Sequence, residues 1–228
     1  TVVAGNVGLQ HTSNNARIVC DWAGEKNFPV YAGASKPLLR QLVTAEEVHG
    51  KTGLDGVDLH DPICPLQAVH AVPYLIDVLR KAEDASITLC PIGPLTNIAL
   101  ALSLAPDIAR SIKQIVMMGG NYFEAGNITP AAEFNVYVDP HAAQIVLQSG
   151  VPITILPLDV THKACITSAR MDILRQQDNV NGPRLADILQ SYERFDIQKF
   201  GLEGGPLHDP CAITYAVFPE FFSGRDCH

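Results

Sequence analysis

Short apolar runs rich in β-branched residues alternate along this chain with stretches of helical spacing, and that alternation leaves few folds open. "TVVAG" (1–5), "PVYAG" (29–33), "SITLCP" (86–91), "QIVMMGG" (114–120) and "PITILPLD" (152–159) are the short runs. Their continuous apolar character predicts strands buried on both faces. Between them the spacing predicts helices over 12–23, 67–82, 95–104 and 139–149. Thr12 or Ser13 is placed to cap the first and Thr96 or Asn97 the third, while Gly24 and Gly150 end two of them. Strand and helix in turn imply an α/β fold, an open and mostly parallel sheet flanked by helices, in a single domain over 1–228. The stretch from about 167 to 205 departs from this pattern. It is more polar, has helical spacing without a strand and is broken at "DNVNGP" (178–183), which predicts a peripheral helical region. A last helix is expected from Asp209-Pro210 to about Val217.

Charge and cysteine usage narrow the partners. The net charge is −8 with no basic run, which argues against nucleic acid or an anionic membrane surface. No stretch approaches the roughly 18 apolar residues of a membrane span. Six cysteines form no C-x-x-C pair, so they read as free thiols in a reducing cytoplasm and not as a zinc site.

In a parallel sheet, ligands bind outside the carboxyl ends of the strands. Polar residues collect at those ends here: Gly5-Asn6, "PIGPLTN" (91–97), "GGNYFEAGNITPAAEFN" (119–135) and, before the last helix, "LHDP" (207–210). Within "GNITPAAEFNVYVDP" (126–140), Asp139-Pro140 is explained as the N-cap and first position of a helix. Asn127, Glu133 and Asn135 have no such local explanation. Singly, several other features read as ordinary structure. His208-Asp209 fits a loop histidine and a helix cap, and Asn6 fits a turn. "VHGKTGLDG" (48–56) is glycine-rich, but the lack of a helix after it argues against a phosphate loop.

Taken in order, the segments "VVAGN" (2–6), "VHGKTGLDG" (48–56), "PIGPLTNIAL" (91–100), "MGG" (118–120), "GNITPAAEFNVYVDPHAA" (126–143), "LDVTHKA" (158–164) and "LHDP" (207–210) resemble the inosine–uridine-type nucleoside hydrolases. The resemblance spans nearly the whole chain, and the 126–143 string is its most specific part. It implies Ca²⁺-assisted hydrolysis of the N-glycosidic bond of a ribonucleoside by a homo-oligomer, a dimer or tetramer. Carried over residue by residue, it assigns Asn127, Glu133 and Asn135 to the ribose hydroxyls. Asp209 becomes a Ca²⁺ ligand that also touches ribose, and the Ile92 backbone carbonyl a second metal ligand. Asn6 lies near the attacking water. His49 and His208 face the base, with His208 protonating or stabilising it as it leaves. Tyr192, Asp196 and Phe200, in the helical region, lie on the base side. The chemistry suits these residue types. Ribose hydroxyls both donate and accept, carboxamides serve both roles, and a carboxylate accepts a charge-assisted bond. Replacing Glu133 or Asn135 is expected to impair turnover with little loss of stability.

The family pattern also has an aspartate-rich D-x-D-P-G-x-D-D loop that supplies the proton-accepting aspartate and most metal-binding side chains. It has no counterpart in this sequence, and by the resemblance the chain is trimmed at both ends. Two other readings follow from the residues: a non-catalytic nucleoside- or ribose-binding module, and a metal-dependent phosphoesterase built around His208-Asp209. The second requires basic phosphate contacts.

Overall fold

The computed structural model describes residues 1–227, and all their side chains except those of residues 193–196 and 198–200. In its first half the elements are α1 (Leu9–Trp22), β1 (Val30–Tyr31), α2 (Glu46–His49), β2 (Leu66–Gln67), α3 (Ala71–Lys81), β3 (Ile87–Leu89) and α4 (Thr96–Leu104). After a 3₁₀ turn (Pro106–Ser111) come β4 (Ile112–Met118), α5 (Phe134–Val138), α6 (Pro140–Leu147), β5 (Ile153–Leu156) and α7 (Leu158–Thr161). The last part holds β6 (Cys165–Ile166), α8 (Ser168–Arg175), α9 (Asn181–Phe200), β7 (Gly205–Pro206) and α10 (His208–Val217).

β3, β4 and β5 form a parallel sheet with β4 in the centre. A second parallel pair, β1 with β2, is extended by a bridge from Val2 to Ala32. β4 shows why its sequence is apolar without alternation. Ile115 and Met117 pack into one buried cluster with residues of α3, α4 and α6. Val116 and Met118 pack into another with Leu156, Leu158 and Cys211 and Ala212 of α10. Successive side chains leave opposite faces of a strand, so a strand covered on both sides must be apolar at every position.

The α/β class and helix-flanked parallel sheet stand as expected, and most boundaries move. The 1–5 run contributes a single bridge residue, although Val2 and Ala4 N–H donate to the carbonyls of Tyr31 and Ala34. The predicted 152–159 strand stops at Leu156, and the chain turns into α7 after Pro157. The predicted 67–82 helix starts at Ala71 behind a His70 cap, because Leu66–Gln67 pairs with β1. Two expected caps are replaced. α1 starts at Leu9 after Gly8, so Thr12 and Ser13 lie inside it. Thr96 and Asn97 do not cap α4 but tie it to its neighbours: Thr96 Oγ1 donates to Asp139, and Asn97 bridges the Val2 carbonyl and the Ala34 N–H. Asp139 does cap α6, accepting from Ala142 N–H, with Pro140 next.

The peripheral helical region is α8 and α9, and the antiparallel pair β6–β7 closes its stem. Among the described residues no helix is long and apolar enough to cross a membrane.

Candidate active site

The 126–132 turn delivers the first site residue. Its backbone doubles back so closely, with Ile128 N–H donating to the Ala132 carbonyl, that a Cβ on residue 126 would lie 2.3 Å from Ala132 backbone atoms. Only glycine fits. Asn127 follows at once, its Oδ1 accepting from Phe134 N–H (2.8 Å).

Glu133 caps α5. Its carboxylate accepts from the N–H groups of Gly120 (2.9 Å), Asn135 (2.9 Å) and Val136 (3.3 Å), joining the end of β4 to the start of α5. It is 2% exposed. Burial raises its pKa, and the backbone donors oppose that rise without cancelling it. Asn135 is fixed in turn, donating through Nδ2 to the Met118 carbonyl (3.2 Å) and lying 3.3 Å from its sulfur.

Across from this turn, α10 begins with His208 and Asp209. Asp209 is not a cap: the cap position is Leu207, with no side-chain bond. The carboxylate of Asp209 accepts no hydrogen bond among the described residues. Burial first, and the Glu133 carboxylate second, push its pKa up to about 7. His208 moves the other way, down to about 4, through burial and then the neighbouring His162 and His49 rings. Burial likewise lowers His49, whose ring meets Tyr192 edge-on at 5.2 Å. Tyr192 is pushed up to about 12 by burial and the nearby acids, and its hydroxyl donates to the Gly53 carbonyl (3.1 Å).

One cavity of about 220 Å³ collects these groups. Asn6, His49, Ile92, Asn127, Glu133, Asn135, Tyr192, His208 and Asp209 all line it, at the carboxyl ends of the strands. The side chains of Asp196 and Phe200 lie outside the described residues. Sequence reasoning missed Met118 and Leu189 in the wall, and Thr161 and His162 behind His208. Thr161 and His162 follow the end of β5, so the strand-end rule would have pointed to them.

The wall has the carboxylates of Glu47, Glu133 and Asp209, and among its described residues no Lys or Arg. The phosphoesterase reading needs cations for phosphate, and the described wall supplies none. At neutral pH both histidines facing the cavity are uncharged, so its fixed charge is negative. A half-buried carboxylate that accepts no hydrogen bond among the described residues, and whose pKa burial and the neighbouring Glu133 push up, suits a hard metal ion. Ile92, the other residue expected to contribute a ligand, lines the same cavity. No cluster of three or more His, Cys, Asp or Glu able to hold a metal occurs among the described residues.

Comparison with known proteins agrees with this geometry. Residues 1–228 match the family described as inosine-uridine preferring nucleoside hydrolase. A pyrimidine-specific ribonucleoside hydrolase, RihA, of Photobacterium profundum is 44% identical over 228 residues, covering 100% of this chain and 73% of that protein. An uncharacterised Schizosaccharomyces pombe protein is 49% identical over 225 residues, 99% of this chain and 73% of its own. Among solved structures, a purine-preferring ribonucleoside hydrolase from Gardnerella vaginalis superposes with a TM-score of 0.91 at 32% identity, over 97% of this chain and 71% of that one. Sequence and fold thus agree that this chain belongs to the inosine–uridine preferring nucleoside hydrolase family.

Proposed function

We propose that this chain carries the ribose- and base-binding part of a hydrolase acting on pyrimidine ribonucleosides, with Ca²⁺ as cofactor. Hydrolysis of ribonucleosides to base and ribose is the reaction of its family, and the pyrimidine preference rests on the 44% identical RihA. The observation that carries the reading is the convergence of ribose-type ligands, two neutral histidines and a half-buried Asp209 with a raised pKa on one cavity.

Water adds to the anomeric carbon, the N-glycosidic bond breaks, and its electron pair leaves with the base, which takes up a proton. Asn127, Glu133 and Asn135 hold the ribose while positive charge grows on the sugar, as in other glycoside cleavages. Their own backbone bonds fix them beforehand. Asp209 and the Ile92 carbonyl are the groups that would hold Ca²⁺, which supplies positive charge that orients and acidifies water. Asn6 carries no basic group and so positions water without deprotonating it. His208, neutral at pH 7, and His49 meet the base as hydrogen-bond partners for the charge it gains.

A panel of uridine, cytidine, inosine and adenosine, with and without chelator, tests this. The pyrimidine nucleosides are expected to show at least about tenfold higher kcat/KM, with activity lost to chelator and restored by Ca²⁺. Faster turnover of inosine would overturn the pyrimidine preference, and chelator-resistant turnover the metal. Nucleoside binding without hydrolysis would favour the non-catalytic module. The six free cysteines support a reducing compartment such as the cytoplasm. Assembly as a homo-oligomer follows from the family resemblance, and light scattering tests it.

A further inference from the structure

His208 has one ring nitrogen already engaged inside the protein. Thr161, the last residue of α7, is fully buried, and its Oγ1 lies 2.8 Å from His208 Nδ1. The Thr161 hydroxyl has no other hydrogen bond among the described residues. Which group donates follows from what each choice leaves behind. If Nδ1–H gave its proton to Oγ1, the hydroxyl hydrogen would be buried with no acceptor. Buried donors without partners are rare, whereas an unused lone pair is tolerated more often. The hydroxyl therefore donates to Nδ1, and the single proton of the neutral ring sits on Nε2.

A second contact confines the ring. His162 meets His208 at 5.8 Å and 62°. His162 lies in turn 3.8 Å from Glu124, whose loop is held by Asp159 through the N–H groups of Tyr122, Phe123 and Glu124. The imidazole is set between a buried hydroxyl and a second ring, in a residue that lines the cavity.

We propose that Thr161 is the positioning residue that fixes His208 as the Nε2–H tautomer, so that a neutral imidazole presents an N–H to the departing base. This rests on the reading that His208 faces the base. The benefit is directional. A base leaving with the bond's electron pair gains negative charge, which an N–H stabilises and a ring lone pair repels. The other tautomer, or a flipped ring, would offer that lone pair.

The test compares Thr161→Val, which removes the hydroxyl at nearly constant shape, with Thr161→Ser, which keeps it. Long-range ¹H–¹⁵N spectra of the histidine side chains report the tautomer, and turnover of uridine and p-nitrophenyl riboside reports the chemistry. The wild type and Thr161→Ser are expected to show His208 protonated on Nε2, and Thr161→Val to lose that preference. The kcat for uridine should fall about tenfold or more in Thr161→Val with KM within about twofold, since the bond matters in the transition state. The p-nitrophenyl riboside, whose leaving group is stable as an anion, should lose less than about threefold. An Nδ1–H tautomer in the wild type would overturn the proposal. So would a Thr161→Val variant that keeps both the Nε2–H tautomer and uridine turnover, or one that loses equally on both substrates. Should the wild type hydrolyse neither substrate, the functional reading fails, and the spectra alone decide for or against control of the tautomer by Thr161. If Thr161→Val does not fold, the spectra of the wild type and Thr161→Ser make the same decision.

Discussion

Glu133 is at once a wall of the cavity and the cap of α5, so replacing it leaves two marks. Glu133→Ala strands the half-buried N–H groups of Gly120, Asn135 and Val136. It should cost about 2 kcal/mol or more in urea unfolding, besides lowering kcat/KM. This corrects the sequence-level expectation of lost turnover at little loss of stability. That expectation takes the side chain to face only the ligand. An equally stable Glu133→Ala protein would refute the capping role. Asp209 behaves oppositely. Without calcium its folded-state pKa of about 7 lies above the ordinary 3.8. Between those values the folded protein keeps a proton that the unfolded chain has released. The stability this group contributes is full below about pH 4 and is lost as pH rises through about 7. The calcium-free melting temperature should therefore fall from about pH 5 to pH 8, and Asp209→Asn should flatten that fall. Glu133 shifts in the same direction, so the comparison of variants isolates Asp209. Calorimetric titration should show the same Asp209→Asn variant binding Ca²⁺ far more weakly, and unchanged affinity would remove Asp209 from the metal shell.

At the scale of elements, one wall of the cavity is where α9 rests on the 50–56 loop. Tyr192 and Ser191 reach the carbonyls of Gly53 and Asp55, and Asn15 of α1 holds the loop's other side through the Thr52 carbonyl. Gly53 has φ of +80° and lies close against Val7 and Asn15, so a side chain there would be strained and crowded. Tyr192→Phe removes one bond from this seam. Hydrogen exchange should quicken in residues 50–56 while the β4 amides stay protected, with KM for uridine rising. Exchange unchanged at 50–56 would show that packing alone holds the seam. Such seams were invisible in the sequence, and so were α5, α7 and β2. "FNVYV" looks like a strand, and its helical form depends on the Glu133 cap. Leu66–Gln67 is a strand only because β1 lies beside it. Runs buried on both faces, in contrast, announce themselves, because no other environment tolerates them. The site was legible because strand ends had to hold it and because its polar residues lacked local explanations. Thr161 escaped notice because its partner lies 47 residues away on another helix.

For the whole molecule, one carboxylate ties the layers together. Asp139, with no exposed surface, accepts from Leu38 N–H (2.9 Å), Thr96 Oγ1 (2.7 Å) and Ala142 N–H (3.1 Å). Those donors belong to a loop, α4 and α6. Asp139→Ala should lower the urea midpoint at constant slope by an amount equal to about 3 kcal/mol or more, since several charge-assisted bonds go at once. A change in slope would instead reveal partial unfolding. The contrast between Glu133 and Asp209 also bears on how descendants of such a chain drift. A copy freed from its chemistry can lose Asp209 without harming its fold, whereas losing Glu133 undoes the start of α5. Retired relatives should therefore carry Glu133 long after Asp209 has gone. Among uncharacterised sequences Glu133 then marks ancestry, and the residue at position 209 separates working enzymes from relics.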